Sequence, residues 1–288
     1  MARNRLGLHA LVWVGGWSKE ECQIAVQSTR KAGFDLIEIP ALDPSSIDVE
    51  HTKQVLADNG IEAACSLGLS FDADINNEDP AIVKRGLDRL LSALKVVEGL
   101  DGNYLGGVVY SALGKYTRPA SELARANAVA SVKVLAKAAA DSGITIGLEP
   151  VNRYETNLIN TGQQALDFIG DVGESNVKVH LDVYHMNIEE ANFGDPVRLC
   201  GDQLGYVHLG ESHRGYIGTG TVNFPEFFGA LAEINYTGTI TFESFSSAIV
   251  HPDLSSALAI WRNLWTDNMD LATKAKSFVD AGLRSAGM

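Results

Sequence analysis

Short runs of alternating apolar and polar residues recur along this chain, and a longer stretch of helical periodicity follows each one. Across 239–243, Ile240 and Phe242 share one face of an extended segment, while Thr239, Thr241 and Glu243 share the other. Ile144, Ile146 and Leu148 oppose Thr145, Gly147 and Glu149 in the same way, and Val177, Val179 and Leu181 oppose Lys178, His180 and Asp182. Antiparallel strands with one wet face would show the same alternation, but they would be joined by hairpins. Here helical segments intervene, which predicts βαβ units and a parallel sheet, with apolar faces under the helices and polar faces turned into a barrel.

Eight such units are legible. Strands are predicted over 6–13, 36–39, 61–67, 104–109, 144–149, 177–182, 204–208 and 239–243. Helices are predicted over 18–31, 48–59, 80–98 and 120–142, and then after Thr161, near Met186, at Phe224 and from Pro252 to Trp265. Ser18 suits an N-cap, Pro80 a first helical turn, and Gly60 and Gly143 the ends of helices. The expected architecture is one (β/α)₈ TIM barrel domain over about 5–266, with a C-terminal helical extension that caps the bottom or joins a subunit interface. The segments 68–79, 110–119 and 210–223 exceed ordinary connection lengths and are the places to look for substrate contacts and a lid.

Composition narrows the class. A chain of 288 residues with 45% hydrophobic content suits one large α/β barrel. No apolar run approaches the roughly 18 residues of a membrane span, and the opening Met1-Ala-Arg-Asn-Arg lacks the apolar core of a signal peptide. Three cysteines, Cys22, Cys65 and Cys200, cannot all pair and show no CxxC spacing, so a reducing cytoplasm is expected. A net charge of -13 disfavours a nucleic-acid partner.

Four of the predicted strands end on residues that bind metals: Glu149, Asp182, His208 and Glu243. One strand–helix unit of about 30 residues separates each from the next, and in a barrel the carboxyl ends of the strands converge on one mouth. Three carboxylates and an imidazole form an oxygen-rich set suited to Mn²⁺, Co²⁺ or Mg²⁺. An ion with five or six coordination positions would leave room for a substrate with adjacent oxygens and would polarise its carbonyl.

The segments Gly147-Leu-Glu-Pro-Val-Asn-Arg-Tyr-Glu155, His180-Leu-Asp-Val-Tyr-His185-Met-Asn, His208-Leu-Gly-Glu-Ser-His-Arg214 and Phe242-Glu-Ser-Phe245 strongly resemble the D-tagatose 3-epimerase family. That family includes the D-psicose (D-allulose) and L-ribulose 3-epimerases and belongs to the xylose-isomerase-like barrels. The resemblance implies that Glu149, Asp182, His208 and Glu243 hold a metal, usually Mn²⁺, and that Glu149 and Glu243 are the acid/base pair on opposite faces of a free ketose. It implies that Glu155, His185 and Arg214 bind the C1–C3 end of the sugar, with Cys65, Trp13 and Phe245 lining the pocket and His9 close by. Leu113 stands where the family often has tryptophan. A homodimer or homotetramer is expected, with a small-molecule ketose as the partner and neither nucleic acid nor membrane.

Other readings share parts of this pattern. An aldose–ketose isomerase, such as a hydroxypyruvate isomerase, also passes through an enediolate, and an inosose dehydratase shares the fold. A three-metal apurinic endonuclease needs further histidines from the third and fourth strands, yet none occurs between His51 and His180. A sugar-binding barrel without activity would not need both Glu149 and Glu243. His180, two residues before a ligand, is expected to face inward in a supporting role. A pairing of Glu155 with Arg153, and a phosphate cradle at Gly218-Thr-Gly220, are the remaining alternatives for those residues.

Overall fold

The eight strands pair in parallel in chain order, and the last returns to the first to close a barrel. They are β1 (Leu6–His9), β2 (Leu36–Pro40), β3 (Glu62–Leu69), β4 (Tyr104–Ala112), β5 (Thr145–Leu148), β6 (Val177–Asp182), β7 (Leu204–Leu209) and β8 (Thr239–Phe242). The structure is a computed structural model that describes residues 4–288; the first three residues, read above for a signal peptide, lie outside the described residues. No helix in the described residues is long and apolar enough to cross a membrane.

The helices are α1 (Lys19–Lys31), α2 (Val49–Asn59), α3 (Pro80–Gly99), α4 (Glu122–Ala140), α5 (Gly162–Val172), α6 (Val183–Glu189), α7 (Asp195–Cys200), α8 (Phe224–Glu233), α9 (Pro252–Ala257) and α10 (Asn268–Ser285). Local chemistry sets their ends. Ser18 and Glu21 form a reciprocal capping box at α1, and Asp79 caps α3 just before Pro80. Gly60 ends α2 in the left-handed region, at φ 60°, where a side chain would be strained.

Among the boundaries that differ from the sequence reading, three shift by three residues or more for visible reasons. β1 stops at His9, because the His9 ring accepts a hydrogen bond from the Leu11 amide and the chain turns into a 3₁₀ segment, Ala10–Val12. β4 continues to Ala112, whose amide donates to the buried Asp74 carboxylate. The helix expected through Trp265 ends at Ala257, and Ala259 follows with φ 54°.

Alternation divides the apolar residues between two layers. Outward-facing residues, among them Ile37, Ile146, Val179 and Ile240, pack beneath the helices in the main core. Leu36, Ala64, Tyr104 and Tyr206 form a separate cluster inside the barrel, with the two tyrosine rings stacked 4.1 Å apart. The inner cluster sets a steric rule: a Cβ at Gly147 would lie 1.6 Å from the Tyr104 hydroxyl.

Gly147→Ala should therefore lower stability by about 1–3 kcal/mol, as overpacked cores do. Gly170→Ala, exposed on α5 with open space around it, should raise stability by about 0.5–1 kcal/mol. Urea unfolding midpoints of the two variants should shift in opposite directions; a common shift would contradict the inward placement of Gly147.

Candidate active site

The mouth of the barrel is built from backbone that outlasts its strands. Glu149 follows β5, but its amide still donates to the Gly107 carbonyl at 3.2 Å; Glu243 follows β8 and donates to Leu209 at 3.0 Å. The ladder thus carries both side chains one residue beyond the sheet. Asp182 ends β6 in register with His208 on β7. Ligand atoms of Glu149, Asp182, His208 and Glu243 all lie within 4.8 Å of one another, and all four residues are buried. His208 Nδ1 is 3.3 Å from Glu149 Oε1 and 3.7 Å from Glu243 Oε1.

Burial dominates the electrostatics. It pushes Glu149 up to about 7, with Glu243 and Asp182 adding to the rise and His208 opposing it. Burial likewise raises Asp182 to about 6, against the pull of Arg214. Burial raises Glu243 too, but His208, Arg214 and His9 outweigh it, and the net shift is downward. Three buried carboxylates so close cannot all carry charge without a positive group beside them. A divalent ion removes that conflict, and the oxygen-rich donor set fits one.

Around this quartet the structure gathers Arg214, His185, Glu155 and Phe245. Arg214 adopts φ 59°, donates to Asp182 Oδ2 at 3.1 Å and to Glu243, and lies over the Tyr184 ring at 3.8 Å and the Phe245 ring at 4.8 Å. His185 Nδ1 accepts from the Asn152 amide at 3.1 Å. A backbone N–H can only donate, so the proton of a neutral His185 sits on Nε2, 3.8 Å from Asp182 Oδ2 and beside the Arg214 guanidinium, which is itself a donor and so forms no hydrogen bond with that Nε2–H. Glu155 is held by the Asn152 side chain at 2.8 Å rather than by Arg153, which pairs with Glu189. Phe245 and Leu113 line the pocket.

Two expected pocket residues lie elsewhere. Trp13 follows the turn after β1 and packs beneath α1, where its indole N–H donates to Thr29 at 2.9 Å. His9 lines the pocket in its place. Cys65 faces the helical layer, because its neighbours Ala64 and Ser66 take the inward positions; Ser66, not Cys65, lines the pocket. The amides near Gly218 cradle no ligand, since the buried Glu211 carboxylate accepts from Gly218, Ser212 and Val222.

Glu38 and Asn152 were missed by the sequence reading. Glu38 is fully buried on β2, 2.8 Å from His208 Nε2, with the Tyr206 hydroxyl also in reach. The only signal in the sequence was a charged residue inside the apolar run Leu36-Ile-Glu-Ile39. His180 is buried inside the barrel as expected, edge-on to His208 at 4.1 Å, and neither ring nitrogen has a hydrogen-bond partner.

One open pocket lies at the mouth of the barrel. Its floor carries His9, Ser66, Glu149, His208, Arg214 and Glu243, and Leu11, Leu42, Leu113 and Leu254 contribute to its apolar walls.

Comparison with known proteins agrees with this geometry. Residues 26–269 match the xylose isomerase-like TIM barrel family. The chain is 53% identical to an L-ribulose 3-epimerase of Methylomonas sp. (strain DH-1) over 96% of its own length and 97% of that protein. It is 50% identical to a ketose 3-epimerase of Arthrobacter globiformis, covering 96% and 95% of the two chains. The crystal structure of a D-allulose 3-epimerase from Methylomonas sp. in complex with D-allulose superposes with a TM-score of 0.96 at 53% identity, over 98% of each chain. A closed parallel barrel, a four-donor mouth and relatives this similar over nearly the full length place the chain in the xylose isomerase-like TIM barrel family, among its ketose 3-epimerases.

Proposed function

We propose that this ketose 3-epimerase is metal-dependent and acts on free ketoses, with Glu149 and Glu243 exchanging the C3 proton. The observation that carries the reading is the convergence of four buried donors on one point, two of them carboxylates at the ends of separate strands. Epimerisation must remove a proton from one face of C3 and return one to the other, so two positioned groups are required. Glu149 Oε1 and Glu243 Oε1 both turn toward His208. One oxygen of each carboxylate can therefore hold the ion; the second oxygen of Glu149 is left for the proton, while that of Glu243 is engaged by Arg214, which must yield it for the transfer. A divalent ion held by Glu149, Asp182, His208 and Glu243 supplies Lewis-acid polarisation of the ketose carbonyl when bound.

The remaining residues bind and orient. Arg214 and the Nε2–H of His185 present donors to the oxygens of the cis-enediolate spanning C2 and C3. Glu155 accepts from a sugar hydroxyl. Arg214 is the one Lys or Arg among the described residues lining this pocket, and Asp182 and Glu243 already engage it. A sugar phosphate would find no free cation there, which favours unphosphorylated ketoses of the D-allulose/D-fructose, D-tagatose/D-sorbose or L-ribulose/L-xylulose type. The Methylomonas relatives make the D-allulose and L-ribulose pairs the first to assay. Mn²⁺ is the preferred ion on donor chemistry, with Co²⁺ and Mg²⁺ next.

In deuterated water, the metal-loaded enzyme should place solvent deuterium at C3 of the product ketose. Unlabelled product would point to internal transfer or an oxidation–reduction route; label at C1 with aldose as the main product would establish an isomerase instead. Glu149→Gln and Glu243→Gln should each lower turnover by at least about 10²–10⁴-fold, with metal content measured alongside.

Substitution of Leu113 should reorder a panel of ketoses at unchanged metal content. Trp13→Phe should lower the melting temperature and leave that order alone, since Trp13 packs in the core. An altered ranking from Trp13→Phe would contradict this division.

Binding of the ion must expel protons. Glu149 and Asp182, raised to about 7 and about 6, and His208, raised above its ordinary value, hold protons that the ion displaces. Mn²⁺ affinity should therefore fall as pH drops through that interval. Calorimetry in buffers of different ionisation heat should show proton release at pH 6, and a pH-independent affinity between 5.5 and 8 (roughly the interval covered by these groups) would refute it.

A further inference from the structure

We propose that Glu38 is a positioning residue for the metal centre: it holds the His208 proton on Nε2 and so presents the unprotonated Nδ1 to the ion. The inference rests on the metal-dependent reading above and concerns how one ligand is oriented, not the reaction.

The two ring nitrogens of His208 face opposite ways. Nδ1 looks up toward the mouth, 3.3 Å from Glu149 Oε1 and 3.7 Å from Glu243 Oε1. Nε2 looks back into the barrel, 2.8 Å from Glu38 Oε2, and Glu38 is its hydrogen-bond partner among the described residues. An imidazole nitrogen binds an ion through its lone pair, so the proton must sit on the other nitrogen. A carboxylate accepting that N–H fixes the tautomer and ring rotation together and makes the ligand nitrogen more basic. The rings packed on His208 cannot do this. His180 meets it edge-on at 4.1 Å and Tyr206 at 5.8 Å, and the Tyr206 hydroxyl is bonded to Thr241 Oγ1 at 2.6 Å.

Placement makes Glu38 hard to explain as an ordinary core residue. It pairs in register with His9 on β1 and Ala64 on β3, which turns its side chain inward with no solvent exposure. A lone carboxylate is costly to desolvate, and an apolar residue of similar size would fill the space without that cost. The second oxygen, Oε1, has no hydrogen-bond partner and lies 3.7 Å from His9 Nε2, itself 3.8 Å from Glu243 Oε1. Glu38 therefore lies behind the donor set and reaches it directly at His208.

The test is Mn²⁺ binding to the full chain by calorimetry, without sugar. Glu38→Ala should weaken binding by about 10–100-fold, the usual effect of losing such a partner. Glu38→Gln should fall between wild type and Glu38→Ala, because its amide oxygen still accepts the Nε2–H while the charge is lost. ¹⁵N-histidine NMR of the wild type loaded with diamagnetic Mg²⁺ gives a readout that a merely structural role would not move, and it stands even where Glu38→Ala fails to fold. It should show His208, assigned by loss of its signals in His208→Asn, protonated at Nε2 and ion-bound at Nδ1. Proton on Nδ1, or Mn²⁺ affinity unchanged in a folded Glu38→Ala, overturns the proposal. Wild type that binds no Mn²⁺ overturns the metal-dependent reading and this inference with it. Wild type that binds Mn²⁺ in a Glu38-dependent way yet leaves C3 of every ketose unchanged overturns the reaction reading alone and supports this one.

Discussion

The site depends on one electrostatic constraint: three carboxylates are desolvated together at the mouth of a barrel. Glu149, Asp182 and Glu243 cannot all be ionised there without positive charge beside them. Within the chain that charge comes from His208, raised well above its ordinary value because Glu38, Glu243 and Glu149 outweigh the effect of burial, and from Arg214. Arg214 engages Asp182 and Glu243 together. The protein thus holds donors that repel one another, an arrangement that favours a divalent cation over any neutral occupant.

The scaffold meets this constraint with rigid parts. Both acid/base candidates extend the β-ladder beyond their strands, and Tyr110 fixes the Glu149 backbone by donating to its carbonyl at 2.7 Å. Asp182 doubles as the N-cap of α6, so one of its oxygens is committed to the Tyr184 amide at 2.7 Å and the other faces Arg214. Flexible loops could not keep such groups in place against their mutual repulsion.

The long loop that carries Arg214 is organised in a similar way. Glu211 is fully buried, and its carboxylate gathers amides from both ends of the segment. Backbone donors hold this carboxylate below its ordinary value despite burial. Arg214 then takes a left-handed backbone conformation, uncommon for a side-chain residue and in keeping with strain held at a functional site.

The barrel, its eight units and the four residues that converge at its mouth were legible in the sequence because alternation has a period of two. A polar residue closing each apolar run must face inward at the open end, as Glu149, Asp182, His208 and Glu243 do. Features that depend on where a strand stops, or on a partner far along the chain, were not legible. Trp13 left the predicted pocket wall because His9 captures the Leu11 amide and ends β1 early. Cys65 lost its expected place to Ser66 because side-chain parity, not proximity in sequence, decides which face a residue takes. Glu38 passed for a flaw in an apolar strand because its partner, His208, lies 170 residues away. Local pattern determined which faces turned inward, and only closure of the barrel decided which inward groups met.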